Sequence, residues 1–449
     1  MDILEQIAKA GVVGMGGAGF PTHLKLRGTF ECLIVNGAEC EPLLWNDKYL
    51  MRTRAEDIVR AAQLLSDELK IPRAVIALKA HYVDEVRALR DAIRSANARV
   101  ELFEMDSFYP AGDEQTLVYE VTGRVVPPAG LPSQVGCVVD NVATLCAVMD
   151  AMRGVPLTRR LLTVTGEVVH PVIVDAPVGT SFEECISLAG GLKRRDVFLI
   201  SGGPMMGRTV PLDQAGNTYV TKTTSGIIAL PAGSGLEARR SIEPKRMLAR
   251  ARSACIQCSY CTQLCPRHLL GHPLEPHRIM RRMAAGASLQ DAPDDAVLRT
   301  AQLCCECGVC EEYACPMGLN PRKINGLLKQ ALAQSGMRYK SEGAPCEPSP
   351  YRDVRKAPSE RVAMRAGLWD YADIEITDMV RAEPARTVVP LRMHIGRPAV
   401  PVVAVGDLVR EGGMIAAAAE GGPSACICAG LSGRVTAVGE NIVIERERM

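Results

Sequence analysis

Two runs of cysteine carry the strongest chemical signal in this chain. "CIQCSYCTQLCP" places Cys255, Cys258, Cys261 and Cys265 in the order C-x2-C-x2-C-x3-C-P. "CCECGVCEEYACP" places Cys304, Cys307, Cys310 and Cys315 in C-x2-C-x2-C-x4-C-P, one residue longer at the last gap. Thiolates at such short spacing wrap round the corners of an iron–sulfur cube, so two runs imply two [4Fe-4S] clusters. Four cysteines per site could also hold tetrahedral zinc, but two C-x2-C-x2-C triplets exceed what one such site needs. Nine of the seventeen cysteines lie between residues 255 and 315, whereas a disulfide framework would spread them through a small secreted chain. Cys305 is expected to be a bystander. Cys32, Cys40, Cys137, Cys146, Cys185, Cys346, Cys426 and Cys428 are expected to be small buried residues.

A glycine-rich stretch raises a second possibility. In "GVVGMGGAGFPTHLKL", residues 11–26, Gly14, Gly16 and Gly19 fit G-x-G-x-x-G. A dinucleotide-binding loop of that spacing must leave a strand and open a helix. Here Ile3, Leu4, Ile7 and Ala8 form a helical apolar stripe before the loop, and Pro21 follows it. Little room remains for a crossover helix before the strand at Cys32, so a Rossmann loop is not expected.

The elements that must position these residues change along the chain. Residues 31–153 alternate strand-like runs ("CLIVNG", "AVIALKA", "RVELFEM") with helical patterns such as Ile58, Ala62, Leu65 and Leu69, which is an α/β pattern with a largely parallel sheet. Residues 160–230 read as a hairpin, a short helix capped by Ser181 and a further strand, a small α+β unit. Residues 240–335 are helical and hold the cysteines. Valine-rich strands broken by glycine turns close the chain as a small β sandwich or barrel. The resulting division is 1–155, 156–235, 236–337, a linker with little core at 338–385, and 386–449.

Composition narrows the class. The chain has 449 residues, a net charge of +1 and 4% aromatics, which argues against a nucleic-acid-binding protein. No apolar run approaches a membrane span, and the first residues are too acidic for a secretory signal. A bacterial-type cytoplasm is the expected location. Residues 239–282 carry ten Lys/Arg, read either as compensation for two anionic clusters or as a docking patch for an acidic redox partner.

The ordered motifs carry a family resemblance. "GMGGAGFPTHLKL" followed by "NGAECEP" resembles the flavin-binding subunit of respiratory complex I, and more closely RnfC of the Rnf electron-transport complex. "YPAGDEQTL" and "VVDNVATL" match two further segments of that family. The resemblance implies an FMN site in which Gly14, Gly16, Gly17, Gly19 and Lys25 supply backbone donors and a cation for the flavin phosphate. It adds Asn36, Asn141 and Thr144 as cofactor-binding residues. Glu39 and Glu41 would face flavin and NADH, with Glu39 the candidate catalytic residue, and Asp113 and Glu114 would lie by the nucleotide. Met15 and Ala38 depart from complex I, which has arginine and aspartate there. The cysteine runs resemble two-cluster ferredoxins, in which the fourth cysteine serves the other cluster. That implies Cys255, Cys258, Cys261 and Cys315 on one cluster, and Cys304, Cys307, Cys310 and Cys265 on the other.

Residues 160–230 resemble the soluble-ligand-binding β-grasp (SLBB) domain, and the C-terminal strands resemble the barrel-sandwich domain that stands at the N-terminus of RnfC. "GLSGRV" offers no carrier lysine for biotin or lipoate. With the barrel-sandwich domain last, the order resembles the cobalamin reductases of propanediol-utilisation microcompartments. The resemblance implies electron flow from NADH through FMN and two clusters to cobalamin. Implied partners are a corrinoid adenosyltransferase and shell or lumen proteins. A base-off cobalamin motif is absent, since "PRHLLG" lacks the aspartate. Rnf-like transfer to a membrane or low-potential protein acceptor, and a non-catalytic electron conduit, are the competing expectations.

Overall fold

The computed structural model describes residues 2–341 and 346–447. Residues 342–345 of the expected linker, and the outermost residues 1 and 448–449, lie outside the described residues.

The first domain is a four-stranded parallel sheet ordered β3-β2-β1-β5, with β1 Cys32–Asn36, β2 Arg73–Lys79, β3 Val100–Met105 and β5 Cys137–Asn141; the short β4, Phe108–Tyr109, lies outside it. Side chains alternate between two cores, as a two-residue period demands. Leu33, Val35, Ile76 and Leu78 face α1 (Ile3–Lys9), α4 (Ala55–Glu68), α5 (Val83–Ser95) and α7 (Val142–Met152). Ile34, Val75, Ala77 and Val139 face Leu117, Val118 and Val121 of α6 (Glu114–Thr122). With both faces covered, the strands read as continuous apolar runs. The glycine loop lies between α1 and the single-turn α2 (Thr22–Lys25), ahead of β1 rather than after a strand, as the sequence implied.

The second domain is a mixed sheet ordered β7-β6-β10-β8-β9, with one later strand added beside β7. Its strands are β6 Arg159–Gly166, β7 Val172–Pro177, β8 Val197–Ser201, β9 Arg208–Val210 and β10 Gly226–Pro231. β6 and β7 form the expected hairpin, and Ser181 caps α8 (Phe182–Leu188) by accepting the Glu184 N–H. One face packs on α8. The other presents Phe198, Ile200, Ile228 and Leu230 to Leu43, Leu44 and Tyr109 of the first domain and to Cys307 and Val309 of the cysteine domain. Three domains thus share one core.

The cysteine domain closes on helices Pro244–Ala254, Pro276–Ala284 and Pro321–Gln334, through Met247, Ile279, Met283, Ile324 and Leu328. The stretch expected to be a linker is instead built into its neighbours. β11 (Ala357–Pro358) pairs with β4, helix Ser359–Arg365 buries Val362 and Ala363 in the shared core, and β12 (Met379–Arg381) extends the second domain's sheet. Strands this short leave no periodic trace in sequence. The last domain is two small antiparallel sheets round Val389, Ile415, Ile427, Val435 and Ile444.

Candidate functional site

β1 and β5 are in parallel register, and their last residues, Asn36 and Asn141, are partners. Open parallel sheets place ligands beyond such carboxyl ends. Asn141 caps α7 through the Ala143 N–H, and its Nδ2 donates to Asp47 at 2.6 Å. Thr144 Oγ1 accepts the Met15 N–H at 3.0 Å, which fastens the glycine loop to α7. A Cβ on Gly16 would stand 2.9 Å from that of Asn141, so only glycine lets the loop come this close. Space beside Gly17 is open, and Gly19 has φ +75°.

Lys25 Nζ lies 2.9 Å from Glu114 Oε1 and 3.9 Å from Asp140 Oδ1. Burial works against its charge, but Asp140 and Glu114 outweigh that and raise its pKa. Burial pushes the Asp140 carboxyl up to about 6, and its Oδ2 is buried without a partner. Among the described residues, the N–H groups of Gly16, Gly17, Ala18 and Gly19 make no hydrogen bonds. Unused loop donors, a lysine behind them and an unsatisfied buried carboxylate fit a phosphorylated flavin with polar ring edges.

The four acids have separate settings. Glu39 is pushed up to about 8, first by burial and then by the Asp47 charge; among the described residues its side chain accepts only the Glu41 N–H, at 3.1 Å. Lys79 Nζ and Tyr82 Oη hold its backbone carbonyl at 2.9 and 2.8 Å. Glu41 accepts the Met205 and Met206 N–H groups, both at 2.8 Å, and so grips the "SGGPMMG" loop of the second domain. Asp113 caps α6 and forms a two-pronged pair with Arg267, one prong at 2.8 Å. Despite burial, that guanidinium holds its carboxyl below the usual range. Glu114 pairs with Lys25, and Asn36 donates to Gly112 O at 2.9 Å. Glu39, Asn36, Asn141, Thr144, Lys25 and Glu114 therefore gather at the sheet's carboxyl end. The side chains of Glu41 and Asp113 tie the first domain to its neighbours.

Cys255, Cys258, Cys261 and Cys315 wall one cavity, so the last cysteine of the second run meets the first three of the first. Cys265 lies among Cys304, Cys305, Cys307 and Cys310. Cys305, half-buried, lies beside Cys307, inside that thiol group rather than apart from it. Each group suits a four-iron cluster in the chemistry of its donors. The second group adjoins the flavin domain directly. Tyr109 Oη donates to Cys307 O at 2.6 Å, and Arg267, two residues past Cys265, holds Asp113.

Sequence reasoning missed Arg267, Arg160, Lys222 and Asp47, because their partners lie in other domains or far along the chain. Several basic residues of 239–282 are internal ties: Arg239 pairs with Glu312, Arg240 donates to Gly207 O, and Arg267 holds Asp113.

Residues 7–150 match the Nuo51 FMN-binding domain family, 161–209 the SLBB domain, 254–320 the 4Fe-4S dicluster domain and 373–449 the RnfC barrel sandwich hybrid domain. The chain is 39% identical over 444 residues to cobalamin reductase PduS of Citrobacter freundii, covering 98% of this chain and 95% of that protein. It is 40% identical over 447 residues to cobalamin reductase PduS of Salmonella typhimurium, covering 98% and 96%. One component of the Na(+)-translocating ferredoxin:NAD(+) oxidoreductase complex of Acetobacterium woodii is 36% identical over 273 residues, 60% of this chain and 58% of that one. With a flavin domain, an SLBB domain, a dicluster domain and a terminal barrel sandwich in this order, and relatives aligned from end to end, the chain belongs to the cobalamin reductase PduS family.

Proposed function

We propose that this chain passes electrons from NADH to cobalamin through FMN and two [4Fe-4S] clusters. The observation that carries this reading is the direct join between flavin pocket and thiol group, the Asp113–Arg267 pair and the Tyr109–Cys307 hydrogen bond. Bound FMN converts hydride chemistry into single-electron transfer, and the clusters relay single electrons. The chain's own residues do the rest. The loop amides and Lys25 hold the flavin phosphate. Asn36 and Asn141, tied to Gly112 and Asp47, line the sheet's carboxyl end. Glu39, whose burial raises its pKa to about 8, keeps a proton at neutral pH and could supply the one the flavin takes up beside the hydride. Cys255, Cys258, Cys261 and Cys315 hold one cluster, and Cys265, Cys304, Cys307 and Cys310 the other.

The relatives' name supports cobalamin as acceptor; a corrinoid adenosyltransferase as partner and a propanediol-utilisation microcompartment as location are part of the same proposal and rest on the family resemblance. Among the described residues no helix is long and apolar enough to cross a membrane. The test uses the flavin- and iron-loaded chain under anaerobic conditions, with NADH and cob(III)alamin, following corrin absorbance. Reduction that fails in Cys258→Ser supports the reading, because free reduced flavin alone would survive that substitution. Rapid dye reduction without corrin reduction, even beside an adenosyltransferase, would replace cobalamin with a protein acceptor.

A further inference from the structure

The glycine loop is held from outside its own domain. Arg160, in β6 of the second domain, donates from Nη2 to Met15 O at 3.0 Å and from Nε to Thr224 O at 2.8 Å. The Ile395 N–H, in the last domain, donates to Ala18 O at 3.1 Å. A trans peptide points its carbonyl and the following N–H in opposite directions. Holding the Met15 and Ala18 carbonyls from the later domains therefore points the Gly16 and Gly19 N–H groups away from Arg160 and Ile395. These are two of the loop donors left without partners among the described residues.

Space enforces the same arrangement at Gly19. A Cβ there would come 2.9 Å from Thr223 Cγ2, 3.1 Å from His394 Cα and 3.3 Å from Met393 O, so both later domains press on the loop. Arg160 adds an independent indication of an anion. Its side chain is almost wholly buried, yet both of its hydrogen bonds go to neutral carbonyls and it forms no salt bridge among the described residues. The charges it senses are the more distant Asp47, already bonded to Asn141 and Asn46, and Glu39. A buried cation without a carboxylate in contact is costly unless a negative ligand sits close by.

We propose that Arg160 and the backbone N–H of Ile395 are positioning groups for the flavin phosphate, through which the SLBB and barrel-sandwich domains set the direction of the Gly16 and Gly19 donors. This rests on the reading of the glycine loop as the phosphate cradle. The test measures affinity for FMN and for riboflavin, which lacks the phosphate, on the full-length iron-loaded chain stripped of flavin.

The wild type should prefer FMN. Arg160→Met and Ile395→Pro should each weaken FMN by about tenfold, the worth of one buried hydrogen bond, while riboflavin affinity and iron content hold. Ile395→Ala keeps the N–H and should match the wild type; Arg160→Lys, with its charge but fewer donors, should fall between wild type and Arg160→Met. Equal weakening of both flavins, or an Ile395→Pro protein with unchanged FMN affinity, overturns the positioning role while leaving the cradle intact. A wild type that does not distinguish FMN from riboflavin overturns the cradle and this proposal with it. Ile395 is half exposed, so its two variants keep the test decisive even if Arg160→Met does not fold.

Discussion

The two cysteine runs follow one backbone path in two different settings. In each, the residues on either side of the middle cysteine take the left-handed conformation: Gln257 and Ser259 with φ 58° and 62°, Glu306 and Gly308 with φ 59° and 82°. Three of these four are not glycine, so the strain is accepted to curl three thiols towards one centre. The surroundings then diverge. Cys307 and Cys310 are each 7% exposed, and Cys307 sits against the flavin domain. The first run is flanked by Ile256 and Tyr260, 60% and 51% exposed. One fold device thus stands in an inner and an outer setting, which the proposed route would use as relay and port, and the difference lies in what packs around it.

The largest effect should come from breaking the relay in two places. Cys258→Ser should lower iron from about eight to about four per chain, with NADH still reducing what remains. Cys307→Ser should lose the same amount of iron, but NADH should no longer reduce the remaining cluster. Electron paramagnetic resonance after NADH addition reads both, and the opposite pattern would reverse inner and outer. Next in size, Arg267→Gln leaves Asp113 buried without its cation and should cost on the order of 3 kcal/mol in denaturant unfolding. Adding Asp113→Asn should recover part of that loss. A smaller change, about 1 kcal/mol, is expected for Tyr109→Phe, which removes the hydrogen bond to Cys307 O. Its redox titration should show a shift in the inner cluster alone. Smallest in stability, within about 0.5 kcal/mol, is Ile256→Ser on the exposed rim. It should slow transfer to a large acceptor and spare NADH–dye reduction at the flavin; a slower dye reaction would remove the rim from the exit.

The chemistry was legible in the sequence where ligands are close neighbours. Cysteine spacing, the glycine loop and the Ser181 cap are local patterns with local causes. The parallel sheet showed in its apolar runs. What stayed hidden depends on pairs far apart in sequence. "NGAECEP" marks Glu41 as an acid near the flavin, but only the packed domains show it accepting the Met205 and Met206 N–H groups. Arg267 reads as one charge in a basic stretch until Asp113 is seen against it. Arg160 sits in a strand where nothing local distinguishes it from Arg159, which pairs with Asp175. The stretch at 338–385 lacked apolar periodicity because its contributions are a two-residue strand, a seven-residue helix and a three-residue sheet edge.

Near the chain's two ends, segments of the first and last domains lie together. Cys426 Sγ is 3.2 Å from both Ala8 O and Lys9 O, Ala425 belongs to the flavin domain's own core, and Lys222 Nζ bridges Gly11 O and Cys426 O at 2.6 and 2.7 Å. A domain docked beside α1 can be joined to the chain through either end and still reach the same seat. Gene rearrangement could therefore carry it from the last position to the first as a circular permutation that keeps its contacts. Selection would see the preserved interface, and the order of domains along the chain would be free to drift.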